Sequence, residues 1–147
     1  EPVLQKLNKE ISHLENISQN KFTFSKEERL CSKKEIDAVF KTGAHIFTFP
    51  YKIIYTTTDS KQSDLFAKVL ISVSKKNFKN AVERNRLKRL FREAYRKNKY
   101  ILQHQTGNKT LLIAFLYVHS QLLDYQEIEK KIISALNKIK QQVLQNE

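Results

Sequence analysis

The residues of this sequence that could do chemistry are mostly cations, and they are crowded into one segment. Residues 75–99 hold 11 basic side chains and two acidic ones, so they carry a net charge of +9 out of a formal +12 for the chain of 147 residues. A charge this dense points to a polyanionic partner such as a nucleic acid. The candidate nucleic-acid-binding residues are Lys75, Lys76, Arg84, Asn85, Arg86, Lys88, Arg89, Arg92 and Arg96.

Other chemistries find little support in the sequence. The four histidines are scattered, and neither an HExxH motif nor a close set of His, Cys and carboxylate residues occurs, so we predict no metal site. The two glycines, Gly43 and Gly107, cannot form a Gly-rich phosphate loop. Cys31 is the only cysteine and has no catalytic motif around it, which predicts neither a disulfide nor an oxidising compartment. We therefore predict no catalytic residue and no cofactor bound by the protein alone.

The basic segment also keeps a helical apolar period. One face of a helix over about 81–99 would carry the residues Leu87, Leu90, Phe91, Ala94 and Tyr95. Asn80 and Glu83 form a plausible capping pair at its start. The opposite arc would hold the polar residues Asn85, Lys88, Arg89, Arg92, Arg96 and Lys99. Like charges four residues apart repel by a few tenths of a kcal/mol per pair, and a bound polyphosphate would relieve that repulsion. The pattern favours a helix anchored by its apolar stripe and facing RNA or DNA with its charges, rather than an ordinary solvated face.

Further elements follow from periodicity and capping patterns. Residues 1–20 show a helical stripe and are predicted to be an N-terminal helical extension, followed by a single RNA-binding domain over 21–147. A helix should start after Ser32 and stop near Gly43, and a last helix should follow Asp124. Strands are predicted at 46–57 and 65–74, paired as a hairpin, and at 110–118, which is apolar on both faces. No apolar run is long enough for a membrane span and no secretion signal is visible, so we expect a cytoplasmic protein with no membrane partner.

The first predicted strand is rich in aromatic residues. By period two, Phe47, Phe49, Tyr51, Ile53 and Tyr55 share one side. These rings would either pack into the core or stack on unpaired bases beside the basic helix, and the sequence leaves both readings open.

Two stretches resemble a known family. The first is AVERNRLKRLFREAYR, which is preceded by ISVSKKN, and the second is the upstream FTFSKEERLCSKKEIDAVFKTG. Both are similar to the protein subunit of bacterial ribonuclease P. The similarity runs from about Phe22 to the C-terminal helix. It implies an α/β fold, a single small α+β sandwich of order α-β-β-β-α-β-α with a left-handed βαβ crossover, against the usual right-handed rule. The additional short strand would have to come from 46–74.

The resemblance also implies a function. In that family a catalytic RNA with bound Mg²⁺ removes the 5′ leader of precursor tRNA, while the protein binds the catalytic RNA and the single-stranded leader. The leader would lie in a cleft between the first helix and the sheet, against Phe40 and Tyr55. Ile36 would also line the cleft, at a position where the family often has an aromatic residue. Arg84, Asn85, Lys88 and Arg92 would reach the leader from the basic helix.

Three other functions compete with this one. A general RNA- or ribosome-binding module with no role in tRNA processing could have a similar fold, and precursor-selective binding would separate the two. A protein-only nuclease is disfavoured because no carboxylate or histidine cluster is visible. A helix-turn-helix DNA-binding protein is also disfavoured, since the basic helix lies between predicted strands rather than after a short helical turn.

Overall fold

The computed structural model describes residues 3–5, 7–8, 23–58, 65–103 and 109–145. The elements are helices α1 (Lys33–Thr42), α2 (Ala81–Asn98) and α3 (Tyr125–Gln145), strands β1 (Ala44–Thr48), β2 (Tyr51–Thr58), β3 (Ala67–Val73) and β4 (Thr110–Tyr117), and short 3₁₀ helices at Lys26–Glu28 and Lys99–Leu102. Their order confirms the expected α-β-β-β-α-β-α arrangement. Residues 3–5 and 7–8 are helical, whereas residues 9–22, with the predicted boundary after residue 20, lie outside the described residues.

Each long helix begins where its capping residue predicts. The Ser32 hydroxyl accepts a hydrogen bond from the Glu35 amide at 3.4 Å, and the Asn80 side chain accepts one from the Val82 amide at 2.9 Å. The Asp124 carboxylate accepts the Glu127 amide at 2.9 Å. Because these bonds satisfy amides that have no partner within the helix, the three starts could be read from local sequence.

The predicted strand 46–57 is two strands. Phe49 and Pro50 form a turn, and β1 pairs antiparallel with β2 across it. The additional strand that the resemblance requires is therefore present. Pro50 has no amide hydrogen for a ladder bond, which fits its position in the turn.

The predicted hairpin between the segments 46–57 and 65–74 is wrong. The strand order is β1-β2-β4-β3, so β2 pairs antiparallel with β4 and β3 pairs parallel with β4. The reason is that β4 is the most apolar strand, with seven of its eight residues buried, and the interior of the sheet is the only place that covers it on both sides. The β3–α2–β4 unit is the expected βαβ crossover, and its left-handedness stays a prediction.

The two faces of the sheet are covered unequally. Helices α2 and α3 pack on one face over a large core that includes Tyr51, Phe91 and Phe115. Helix α1 packs on the other face over a much smaller cluster, formed by Leu30, Val39, Ile54, Leu112 and Ala114. Part of the α1 face therefore stays open. None of the described helices is both long and apolar enough to cross a membrane.

The large core gives a test of the fold. Phe91 is 0% exposed, and its ring centroid lies 4.8 Å from that of Phe115. Phe91→Ala should lower the free energy of unfolding by about 3–5 kcal/mol, because it leaves a cavity under α2. Urea denaturation followed by circular dichroism measures the change.

The matched control is Phe47→Ala, whose ring is 59% exposed on the other face of the sheet. Its effect should stay within about 0.5 kcal/mol. Equal losses for the two variants would contradict this division into buried and exposed rings.

Candidate nucleic-acid interface

The apolar stripe of α2 packs as the sequence predicts. Leu87, Phe91, Ala94 and Tyr95 are fully buried, and Leu90 packs at the edge of the same core. Phe91 contacts both Tyr51 and Phe115 with tilted rings at centroid distances of 5.9 and 4.8 Å. The helix is therefore fixed in rotation, and its polar arc must face away from the sheet.

The middle of that polar arc carries uncompensated charge. Asn85, Arg86 and Arg89 are exposed, and Lys88 and Arg92 are half-buried. Across the described ranges, the ion pairs are Lys68–Glu35, Arg96–Glu93, Lys97–Glu93 and Lys99–Glu28. Four cations of the arc, Arg86, Lys88, Arg89 and Arg92, thus lack an acidic partner in this part of the chain, which leaves them available to phosphates.

Arg84 organises the segment that enters α2. Its Nη1 donates hydrogen bonds to the carbonyl oxygens of Phe78 and Lys79, at 2.7 and 2.9 Å. Phe78 is buried in the large core, so this segment is held at both its side chain and its backbone. Lys75 and Lys76 are exposed at its start. Arg84 therefore positions these cations as well as adding its own charge.

Arg92 has a second guanidinium close by. Burial lowers the pKa of Arg92, and the positive charge of Arg29 lowers that pKa further. Arg29 lies over the Phe24 ring at 5.7 Å, and that ring packs edge-on against Tyr95 at 5.4 Å. The segment before α1 thus brings one more cation to the α2 surface, and no local sequence pattern indicates this contact.

The C-terminal end of α2 is partly compensated, because Arg96 and Lys97 share one carboxylate. Arg96 Nη2 lies 2.6 Å from Glu93 Oε1, and Lys97 Nζ lies 3.6 Å from the same oxygen. The Arg96 hydrogen bond is the main reason that the pKa of Glu93 lies below its usual value. The free positive charge of the helix is therefore concentrated between Arg86 and Arg92.

The predicted position of Lys99 on the polar arc is wrong. The helix ends at Asn98, and Lys99 is 3% exposed in the 3₁₀ helix that follows. Its ammonium group donates to Glu28 Oε1 at 2.5 Å and to the carbonyl oxygen of Thr23. Lys99 holds the segment before α1 onto the end of α2, so its role is structural.

Helix α1 divides the other face of the sheet into two flanks. Glu35 pairs with Lys68 of β3 at 3.2 Å. At the other end of α1, a Cβ on Gly43 would lie 2.6 Å from Ile54 Cγ2 of β2, so only glycine allows this approach. The helix therefore crosses the strands, with Val39 buried beneath it. One flank is a groove lined by Glu35, Ala38, Thr42, Thr56, Thr58, Lys68 and Leu112, and the Lys68–Glu35 pair spans it.

Ile36 and Phe40 lie on the second flank, one helical turn apart. Ile36 packs against the small cluster, as Leu70 and Leu116 do. Phe40 is 45% exposed. The second flank is open, and the segment leading to α2 follows β3 at its edge. The structure thus brings together the predicted residues Ile36 and Phe40 in a cleft whose floor is the sheet.

The predicted position of Tyr55 in this cleft is wrong. Tyr55 is 5% exposed and belongs to the large core on the opposite face, where its hydroxyl donates to Gln142 Oε1 of α3 at 2.8 Å. Side chains alternate along a strand, so the neighbouring Ile54 points towards α1 instead. The prediction assumed one continuous strand, in which Phe47 and Tyr51 share a face. The turn at Pro50 breaks that strand, so Phe47 lies on the α1 face of the sheet and Tyr51 lies on the other face.

Comparisons with known proteins identify the family. The sequence profile of the Ribonuclease P family matches residues 24–140. This chain belongs to the ribonuclease P protein family. The Ribonuclease P protein component of Porphyromonas gingivalis is 38% identical over 120 residues, which cover 80% of this chain and 87% of the relative. That of Chlorobium phaeobacteroides is 45% identical over 102 residues, covering 63% of this chain and 70% of the relative.

Solved structures agree in fold. The RNase P protein from Thermotoga maritima superposes with a TM-score of 0.58 at 22% identity, covering 76% of this chain and 96% of that one. The Staphylococcus aureus RNase P protein gives a TM-score of 0.55 at 23% identity, covering 76% and 94%. Membership of the ribonuclease P protein family carries with it a role in RNase P, in tRNA processing and in RNA binding.

No group of three or more His, Cys, Asp or Glu side chains lies close enough to hold a metal ion in the described ranges. The predictions of no catalytic residue and no protein-bound cofactor stay predictions.

The structural role of Lys99, as opposed to a role in RNA binding, can be tested by substitution. Lys99→Ala should lower the free energy of unfolding by about 3–5 kcal/mol, because it leaves the Glu28 carboxylate buried without its partner. Lys97→Ala, at an exposed position two residues earlier, should change it by less than about 1 kcal/mol. Urea denaturation measures both, and a stable Lys99→Ala protein with weakened RNA binding would place Lys99 at the RNA instead.

Proposed function

We propose that this chain is the protein cofactor of the ribonuclease P ribonucleoprotein, which removes the 5′ leader of precursor tRNA. The protein binds the catalytic RNA and the single-stranded leader, and the RNA carries out the cleavage with Mg²⁺. The observation that carries the proposal is the row of uncompensated cations that α2 holds outward, in a fold that also has an open cleft beside α1. Family membership supports it.

The catalytic RNA is the proposed partner of the polar arc of α2. Rigidly held Lys and Arg side chains neutralise phosphates and release counterions, without rearrangement of the protein on binding. By screening repulsion between RNA strands, they lower the Mg²⁺ concentration that the active RNA fold requires. The proposed contacts are Arg84, Asn85, Arg86, Lys88, Arg89 and Arg92, with Lys75 and Lys76 before the helix and Arg96 at its end.

The precursor leader is the proposed occupant of the cleft. Single-stranded RNA exposes base faces, which bind to aromatic and apolar side chains with little dependence on sequence. Phe40 offers such a face, and Ile36 offers apolar contact beside it. We expect Arg84, Asn85, Lys88 and Arg92 of α2 to contact the leader backbone. A mature tRNA lacks the leader, so the cleft discriminates substrate from product.

The RNA contact of α2 predicts a change in salt dependence. Lys88→Ala should weaken binding to a bacterial ribonuclease P RNA and reduce the slope of log K against log salt concentration by about one. Filter binding over a salt series measures the slope. The control is Lys131→Ala, which removes an exposed cation from α3 and should leave the slope unchanged. Equal slopes for both variants would exclude Lys88 from the RNA contact.

The leader contact predicts a difference between substrate and product. With the protein assembled on the catalytic RNA, Phe40→Ala should weaken binding of precursor tRNA by about 5-fold or more, since stacking on one base contributes about 1–3 kcal/mol. Binding of mature tRNA should stay the same. Leu144→Ala removes an exposed apolar side chain of α3 and serves as the control.

Equal losses for precursor and mature tRNA would contradict the leader cleft. That result would favour the general RNA-binding module.

A further inference from the structure

A transverse row of side chains crosses the open part of the sheet. The strand registers pair Phe47 with Lys52, Lys52 with Leu116, and Leu116 with Ser72. The neighbours of these residues along each strand, such as Ile46, Ile53 and Val73, belong to the core on the opposite face. All four side chains of the row therefore point to the α1 face, where three of them are exposed and Leu116 is half-buried.

This row lies next to the part of the sheet that α1 covers. The adjacent row consists of His45, Ile54, Ala114 and Leu70, and its Ile54 and Ala114 are buried under α1. The exposed row thus forms the floor of the cleft beyond Phe40. It runs from the segment before α2, next to Ser72, to the edge strand β1 at Phe47.

Phe47 is the most exposed aromatic residue among those that the structure describes, at 59%. Its backbone is held, because its carbonyl oxygen accepts a hydrogen bond from Lys138 at 3.4 Å and its strand pairs with β2. The ring itself is open. Lys52 lies directly opposite it, and cross-strand neighbours have Cβ atoms about 4.5–5.5 Å apart. In the described ranges, no acidic side chain pairs with Lys52.

An exposed aromatic ring beside an uncompensated cation suits one nucleotide of a single strand. The ring stacks on the base and the ammonium group binds the phosphate. Three strand spacings of about 4.8 Å place Phe47 roughly 14 Å across the sheet from Ser72. A strand that entered beside α2 and passed Phe40 would reach Phe47 only if it were several nucleotides long.

We propose that Phe47 and Lys52 form a distal subsite of the leader cleft, which binds leader nucleotides farther from the cleavage point than those at Phe40. This inference rests on the proposed function. The subsite makes affinity depend on leader length, so that precursors with longer leaders bind more tightly until the leader covers β1.

The test uses the protein assembled on a bacterial ribonuclease P RNA. Precursor tRNAs carry leaders that grow one nucleotide at a time, and the dissociation constant is measured for each. For the unaltered protein, affinity should rise in two stages, first at short leaders and again when the leader reaches β1. Phe47→Ala should remove the second stage, a loss of about 5-fold or more, and leave the first stage intact. Lys52→Ala should weaken the second stage and reduce its salt dependence.

Two further variants of Phe47 separate stacking from simple apolar contact. Phe47→Trp should keep the second stage, whereas Phe47→Leu should lose most of it. The matched control is Phe49→Ala, which removes the other exposed ring of the same hairpin. That ring packs on His119 at 4.8 Å and is not part of the row, so its loss should leave both stages unchanged.

The outcomes distinguish this inference from the function on which it rests. A single stage that is sensitive to Phe40→Ala but not to Phe47→Ala would overturn the distal subsite and leave the leader cleft standing. Equal effects of Phe47→Ala at all leader lengths would also overturn it. No effect of leader length or of Phe40→Ala would overturn both proposals together.

Discussion

The packing of the α2 apolar stripe against the sheet is the interaction on which the rest of the structure depends. Phe91, between Tyr51 and Phe115, fixes the rotation of the helix about its axis. With that rotation set, Lys88 and Arg92 can only face outward, despite the repulsion between like charges along the helix. The burial of large rings outweighs that repulsion, which amounts to a few tenths of a kcal/mol per pair. The core thus stabilises a surface that is unfavourable by itself and becomes favourable when phosphates bind.

The cations of the basic segment fall into groups with different physical roles. Lys99 is buried and joins the segment before α1 to the end of α2. Arg96 is paired with Glu93 on the helix surface. Arg84 uses its guanidinium to hold backbone carbonyls at the helix entrance. Arg86, Lys88, Arg89 and Arg92 remain for a polyanion, which concentrates the free charge in the middle of α2.

Features set by local sequence could be predicted, and those set by distant contacts could not. The helix starts at Ser32, Asn80 and Asp124 follow from capping, and the α2 stripe follows from its period. The resemblance misplaces Tyr55, because Tyr55 is in phase with Tyr51 and Ile53 on the large core, so that its neighbour Ile54 packs under α1 instead. Lys99 was misplaced because its partner, Glu28, is 71 residues away. The position of β4 between β2 and β3 likewise depends on covering both its faces, which no single segment reveals.

The most direct measurement is cleavage of a precursor tRNA by a bacterial ribonuclease P RNA at low magnesium, with and without this protein, beside a reaction that contains the protein alone. We expect strong stimulation of the RNA and no cleavage by the protein alone, because the protein supplies charge and leader binding while the RNA supplies the chemistry. Cleavage by the protein alone would contradict that division. So would the absence of stimulation by folded protein that still binds the RNA.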